Sequence, residues 1–122
     1  MKYVLMYTSR PDLMTAVPPE RAEQVYGEIY GWFGKNESVF VENGAELQEI
    51  STATTVKSGE EGENPVVVDG PLNEAKEIIG GFSIIDVPDL DAAIELAKTW
   101  PSLSFPGVAV EIRPIVDHSG GL

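Results

Sequence analysis

The chain has 122 residues and a mass of 13.2 kDa, the size of one domain; folding would leave about 6,400 Å² exposed of roughly 19,000 Å², enough burial for a core without staples. Eight Lys+Arg against 20 Asp+Glu give a net charge of −12, which removes the electrostatic footing for direct nucleic-acid or anionic-membrane binding. The absence of cysteine excludes disulfides, thiolate metal sites and cysteine nucleophiles, and with no run of membrane-spanning length and no basic leader a soluble, cytoplasmic domain is expected.

Residues 2–8 are apolar on both parities, with Tyr3, Leu5 and Tyr7 on one side and Val4 and Met6 on the other. That is the pattern of a strand covered on both faces. After a loop through Ser9 and Asp12, Pro18-Pro19 pre-sets a helix start, with Glu20 in the favourable first turn. From Glu20 to about Val41, the residues Ala22, Val25, Tyr26, Ile29, Trp32, Phe33 and Phe40 fall on one arc. A spacing of about 100° per residue predicts a long amphipathic helix, ended by Asn43-Gly44. Gly27, Gly31 and Gly34 share the opposite arc, which reads as a weak outer face or as a place where another backbone comes close.

Short strands are expected over 47–50, 52–57 and 65–68. The acidic turn at 58–64 lacks the Asp/Asn ladder of a calcium loop and reads as solvated surface. Asn73 can cap a short helical turn over 74–79, stopped by Gly80-Gly81. Residues 82–87 are again apolar on both parities. Pro88-Asp89 starts a second helix with Leu90, Ala93, Ile94, Ala97 and Trp100 as its buried stripe. Val108, Val110 and Ile112 share one face of the last strand, leaving Glu111 and Arg113 on the other.

This order reads as an α+β fold: a ferredoxin-like split β-α-β unit, with two helices on one face of a mainly antiparallel sheet. The sheet's second face would keep half of the apolar residues of two strands, a patch larger than soluble monomers usually tolerate. A second copy against that face is the simplest cover, so a homodimer is expected.

Residues 66–115 resemble the YCII-related superfamily, in particular the group named for its DGPF motif. The resemblance rests on Val67-Val68-Asp69-Gly70-Pro71-Leu72-Asn73-Glu74-Ala75-Lys76-Glu77, Gly80-Gly81-Phe82, Ile85-Asp86-Val87-Pro88-Asp89 and Glu111-Ile112-Arg113-Pro114-Ile115. Leu72 stands where that group usually has phenylalanine, and Lys57 where it often has arginine. The resemblance implies a dimeric α+β barrel-type assembly and little defined chemistry. Members often occur beside extracytoplasmic-function sigma factors, which suggests a sigma factor as a protein partner. One relative is a dehydrochlorinase using a His–Asp pair; here the single histidine, His118, lies outside the matched blocks.

Asp117-His118-Ser119 holds the letters of a hydrolytic triad, but consecutive side chains do not converge and no nucleophile elbow is present. Asp69, Lys76, Glu111 and Arg113 are the stronger set. The Gly70-Pro71 turn can fix the Asp69 carboxylate at a strand end, and Arg113 needs a carboxylate such as Asp69 or Glu111 to offset its desolvation. One reading is an ion-pair network fixing the turn and the interface. The other is a pocket for a small anionic ligand near the dimer interface, with Arg113, Lys76, Glu111 and Tyr7 as binding residues and Asp69 as general base. No cofactor and no metal is expected. Tyr3, Trp32 and Trp100 read as core, while the Tyr7 hydroxyl can reach the pocket mouth. The alternative function is a noncatalytic regulatory module that docks on a sigma factor through its acidic surface.

Overall fold

The computed structural model describes residues 1–72 and 76–118, with Glu42 and Asn43 as backbone only. In chain order its elements are β1 (Lys2–Ser9), α1 (Pro11–Met14), α2 (Pro19–Lys35), β2 (Phe40–Glu46), β3 (Thr54–Lys57), β4 (Val66–Asp69), β5 (Ile78–Asp86), α3 (Leu90–Ala97) and β6 (Ala109–Pro114). Four strands form one sheet in the order β2-β5-β1-β6, and β3 and β4 form a separate hairpin. Every neighbouring pair is antiparallel. β1 and β2, linked through α2, therefore run parallel on either side of β5, which defines the split β-α-β of a ferredoxin-like fold.

The two-sided pattern of β1 has a direct structural cause. Tyr3 and Leu5 pack with Trp32 of α2 and with Ile85, Val87, Ala93 and Trp100 in one core between the sheet and helices α2 and α3. Leu5 and Ile85 have no exposed surface, and each such side chain contributes about 1.5–3 kcal/mol by leaving water. The buried indole of Trp32 donates to Thr99 Oγ1 at 2.7 Å, and that hydroxyl donates to the Leu96 carbonyl at 2.6 Å. Val4, Met6, Phe82 and Ile84 occupy the reverse face and are half-buried. α3 begins as its sequence predicts: Asp89 caps it by accepting from the Ala92 N–H at 2.9 Å.

Several expectations need correcting. The first long helix stops at Lys35, not near Val41. Asn36 ends it, its side-chain amide donating to the Trp32 carbonyl at 2.8 Å. Phe40 and Val41 then open a strand, so Asn43-Gly44 lies inside β2 and is not a helix stop. Residues 47–49 are irregular and Ile50–Thr52 is a 3-10 turn, so the strand expected over 47–50 is absent. The turn expected over 74–79 fails at its end, where Ile78 and Ile79 already belong to β5; Asn73, Glu74 and Ala75 lie outside the described residues. Leu90 is half exposed and does not join the α3 stripe. A Cβ at Gly27, Gly31 or Gly34 would meet nothing within 4 Å, so among the described residues no backbone from outside α2 packs against that arc. Among the described residues, no helix is long and apolar enough to cross a membrane.

Candidate functional site: a cleft between helix and sheet

Two consecutive glycines in β5 shape the floor of a cleft between α2 and the sheet. The β1–β5 register passes from Tyr7 opposite Gly81 to Thr8 opposite Ile79, leaving Gly80 as an extra, bulged residue. Gly81 faces the helices, and a Cβ there would come within 2.9 Å of the Ala45 carbonyl oxygen. Glycine thus permits the close approach of β2 and leaves a floor of bare backbone. Above it, Tyr26, Ile29, Tyr30 and Phe33 of α2 form a wall, and Trp100, Phe105 and Val108 close one end of a cavity of about 540 Å³.

Few polar groups interrupt this lining. The Tyr7 hydroxyl donates to Ser83 Oγ at 2.8 Å, and Ser83 is itself buried. The Tyr7 ring stacks on Trp100 with centroids 4.2 Å apart and planes 27° apart. Burial pushes the Tyr7 phenol up to about 12, against a smaller opposing effect of the Ser83 hydrogen bond. At the mouth, Tyr26 and Tyr30 meet edge to face at 5.5 Å. The hydrogen bond with Tyr30, and then the nearby Glu46 charge, raise the Tyr26 phenol above its ordinary value. Among the described lining residues there is no Arg, Lys or His, and Glu46 is the one carboxylate. Such a space favours a flat, uncharged molecule with one or two hydrogen-bonding atoms.

Of the residues singled out from the sequence, Tyr7 lies in this cleft, with its hydroxyl on Ser83 inside it. Glu111 and Arg113 lie on the reverse face of β6, where Arg113 Nε donates to Glu111 Oε2 at 2.9 Å and both side chains are mostly exposed. Asp69 ends β4 opposite Thr54 and is exposed. Lys76 is exposed beside the β1–α1 loop. There its charge, after the larger effect of the Arg10 hydrogen bond, helps to hold the Asp12 carboxyl below its usual range. Among the described residues no hydrogen bond or ion pair joins Asp69 or Lys76 to Arg113. Gly70 adopts φ +125°, a conformation that residues with a side chain rarely take, and the chain bends there after Asp69. His118 is exposed, and Ser119 lies outside the described residues.

The sequence reading missed Glu46, Gly81, Ser83 and the Tyr26–Tyr30 pair as site residues. One signal was available: glycines beside a strand-like run mark a bulge or a close backbone approach as readily as a helix stop.

Fold and cleft together define a ferredoxin-like α+β domain with an aromatic-walled cavity between its first long helix and its sheet. The profile of the YCII-related domain matches residues 1–119, and the chain belongs to that family. Over 56 residues it is 34% identical to an uncharacterized protein of Rhizobium meliloti (strain 1021), a match covering 46% of this chain and 45% of that protein. This stretch is less than half of the relative's length. Among solved structures it is similar to 5-chloro-2-hydroxyhydroquinone dehydrochlorinase from Burkholderia phenoliruptrix AC1100, in complex with 2,5-dihydroxybenzoquinone. The TM-score is 0.54, with 95% of this chain and 94% of that one covered at 13% identity. At that identity the likeness is one of fold.

Proposed function

We propose that this chain binds a compact, neutral ring molecule in the cleft between α2 and the sheet. The observation that carries the reading is the cavity of about 540 Å³, walled by aromatic and aliphatic side chains around the Tyr7–Ser83 hydroxyl pair. A cavity of that size suits a small ligand. The fold neighbour was solved with a ring molecule bound, which supports a small-molecule site in this architecture. An anionic ligand fits the cleft less well, because Glu46 is in the lining and no lining residue carries a positive charge. In this cleft, cofactor-free acid–base chemistry would fall to Tyr7, Ser83 and Glu46, Asp69 not being among the described lining residues. A regulatory role on a sigma factor would rest on the acidic surface and on the occurrence of similar proteins beside sigma factors, both less specific than a shaped cavity.

The test is thermal denaturation of the full chain with toluene, hydroquinone (oxygen excluded), benzoate and inorganic phosphate. Saturation at about 100 times Kd stabilises a protein by about 2.7 kcal/mol, a rise in Tm on the order of 10 °C for a chain of this size. The neutral rings should raise Tm and the anions should not. Stabilisation by phosphate or benzoate alone, or by none of the four, would overturn the reading.

We also propose a homodimer. The chain exposes 8809 Å², about 2,400 Å² more than a compact monomer of its mass, and the β3–β4 hairpin carries Val56 and Val67 side by side at 65% and 68% exposure.

A further inference from the structure

We propose that Glu46 is the hydrogen-bond acceptor at one edge of the cleft, facing the Tyr7–Ser83 hydroxyls across the bare floor at Gly81, so that the site selects a ring with hydroxyl groups at opposite edges. The proposal rests on the cleft binding a small ring molecule, as argued above, and adds the polar contacts that choose among rings.

Tyr7, Gly81 and Glu46 stand level on β1, β5 and β2, paired directly across three adjacent strands and turned to the same face. Two strand spacings, about 9.6 Å, separate the outer two backbones. Gly81 places no side-chain atom between them, so a single ring can lie over it with one edge toward each neighbour. The two edges differ chemically. Tyr7 spends its proton on Ser83, which leaves the Ser83 hydroxyl hydrogen and the Tyr7 oxygen lone pair for a ligand oxygen. Glu46, when ionised, only accepts. No Lys, Arg or His is among the described cavity residues to compete for it, and no hydrogen bond or ion pair joins its carboxylate to a described cation. A ligand hydroxyl is thus the partner this carboxylate lacks, and its charge repels rings that carry a carboxylate of their own.

Calorimetric titration of the full chain and of Glu46→Gln with hydroquinone (oxygen excluded), toluene and 4-hydroxybenzoate tests this. Glu46 is exposed, so the variant should fold, and circular dichroism checks that it does. Replacing a charge-assisted hydrogen bond by a neutral one should weaken hydroquinone about tenfold. Toluene, with nothing to donate, should bind both proteins equally, and 4-hydroxybenzoate should bind the variant more tightly than the wild type. If toluene binds but hydroquinone is insensitive to the substitution, the role of Glu46 falls while the cleft stands. If neither neutral ring binds the wild type, the cleft reading itself falls and takes this proposal with it.

Discussion

Tyr7 shows how one side chain serves both core and site. Its ring is packed against Trp32, Phe33 and Trp100, while its hydroxyl reaches Ser83 in the cleft. Burial raises its phenol from 10.0 to about 12, so the folded state favours the protonated form more than the unfolded chain does. The resulting stability is fully present below pH 10 and is lost as pH rises through about 12. Its size is on the order of 2 kcal/mol. Tyr7→Phe should cost about 1–3 kcal/mol at neutral pH, because Ser83 loses its buried partner. It should also remove this tyrosine's share of the alkaline loss, so urea denaturation between pH 9 and 12 should show the two stability curves converging. Parallel curves would mean that the phenol titrates as if exposed. Arg113 makes the contrast: its pairing partner is Glu111, two residues away on the same strand, with both largely in water, where such pairs contribute little.

At the level of elements, the sequence made the first and last strands and α3 readable but concealed β2. β1 is apolar on both parities, β6 alternates, and Asp89 announces α3 by its capping chemistry. Phe40 misleads because it is core-facing under either reading. It extends the helical arc of Trp32 and Phe33 by spacing, yet packs against both rings from a strand, at 5.4 Å and 5.0 Å. Only the Asn36 cap, a side-chain hydrogen bond back to Trp32, marks the true boundary. The cleft was hidden for a related reason: its floor is an absence of side chains, and its walls come from α2 and from Trp100, Phe105 and Val108, distant in sequence and brought together only by the fold. The glycines therefore divide into two kinds. Gly81→Ala should destabilise by about 1–3 kcal/mol, since its new methyl meets the backbone of a paired strand, and it should lower the affinity for hydroquinone. Gly27→Ala, on the open arc of α2, should instead stabilise by about 0.5–1 kcal/mol. Urea denaturation of both variants decides this, and a neutral Gly81→Ala would remove the close approach as the reason for glycine.

Over the whole molecule, surface and charge pull association in opposite directions. The excess exposed area, the half-buried reverse face with Val4 and Ile84, and the hairpin's Val56–Val67 pair are what a second copy would cover. Isolated two-stranded hairpins are marginal in water, which gives this one a reason to dock. Each copy brings a net charge of −12, so two copies repel at long range, and salt should screen that repulsion. Equilibrium sedimentation at micromolar concentration should therefore give twice the 13.2 kDa chain mass, with tighter association at 0.5 M than at 0.05 M NaCl. Val67→Glu tests the surface directly. At 68% exposure in the single chain the substitution should alter the stability of a monomer by less than about 0.5 kcal/mol. In a dimer seated on the hairpin it places two new charges in the interface, and the mass should drop to that of one chain with the circular dichroism unchanged. Val4→Glu, on the reverse face, should do the same if the sheets themselves meet. A wild-type protein that sediments as a single chain at both salt concentrations would refute the dimer, and a dimer that survives both substitutions would refute the hairpin and the reverse sheet face as its interface.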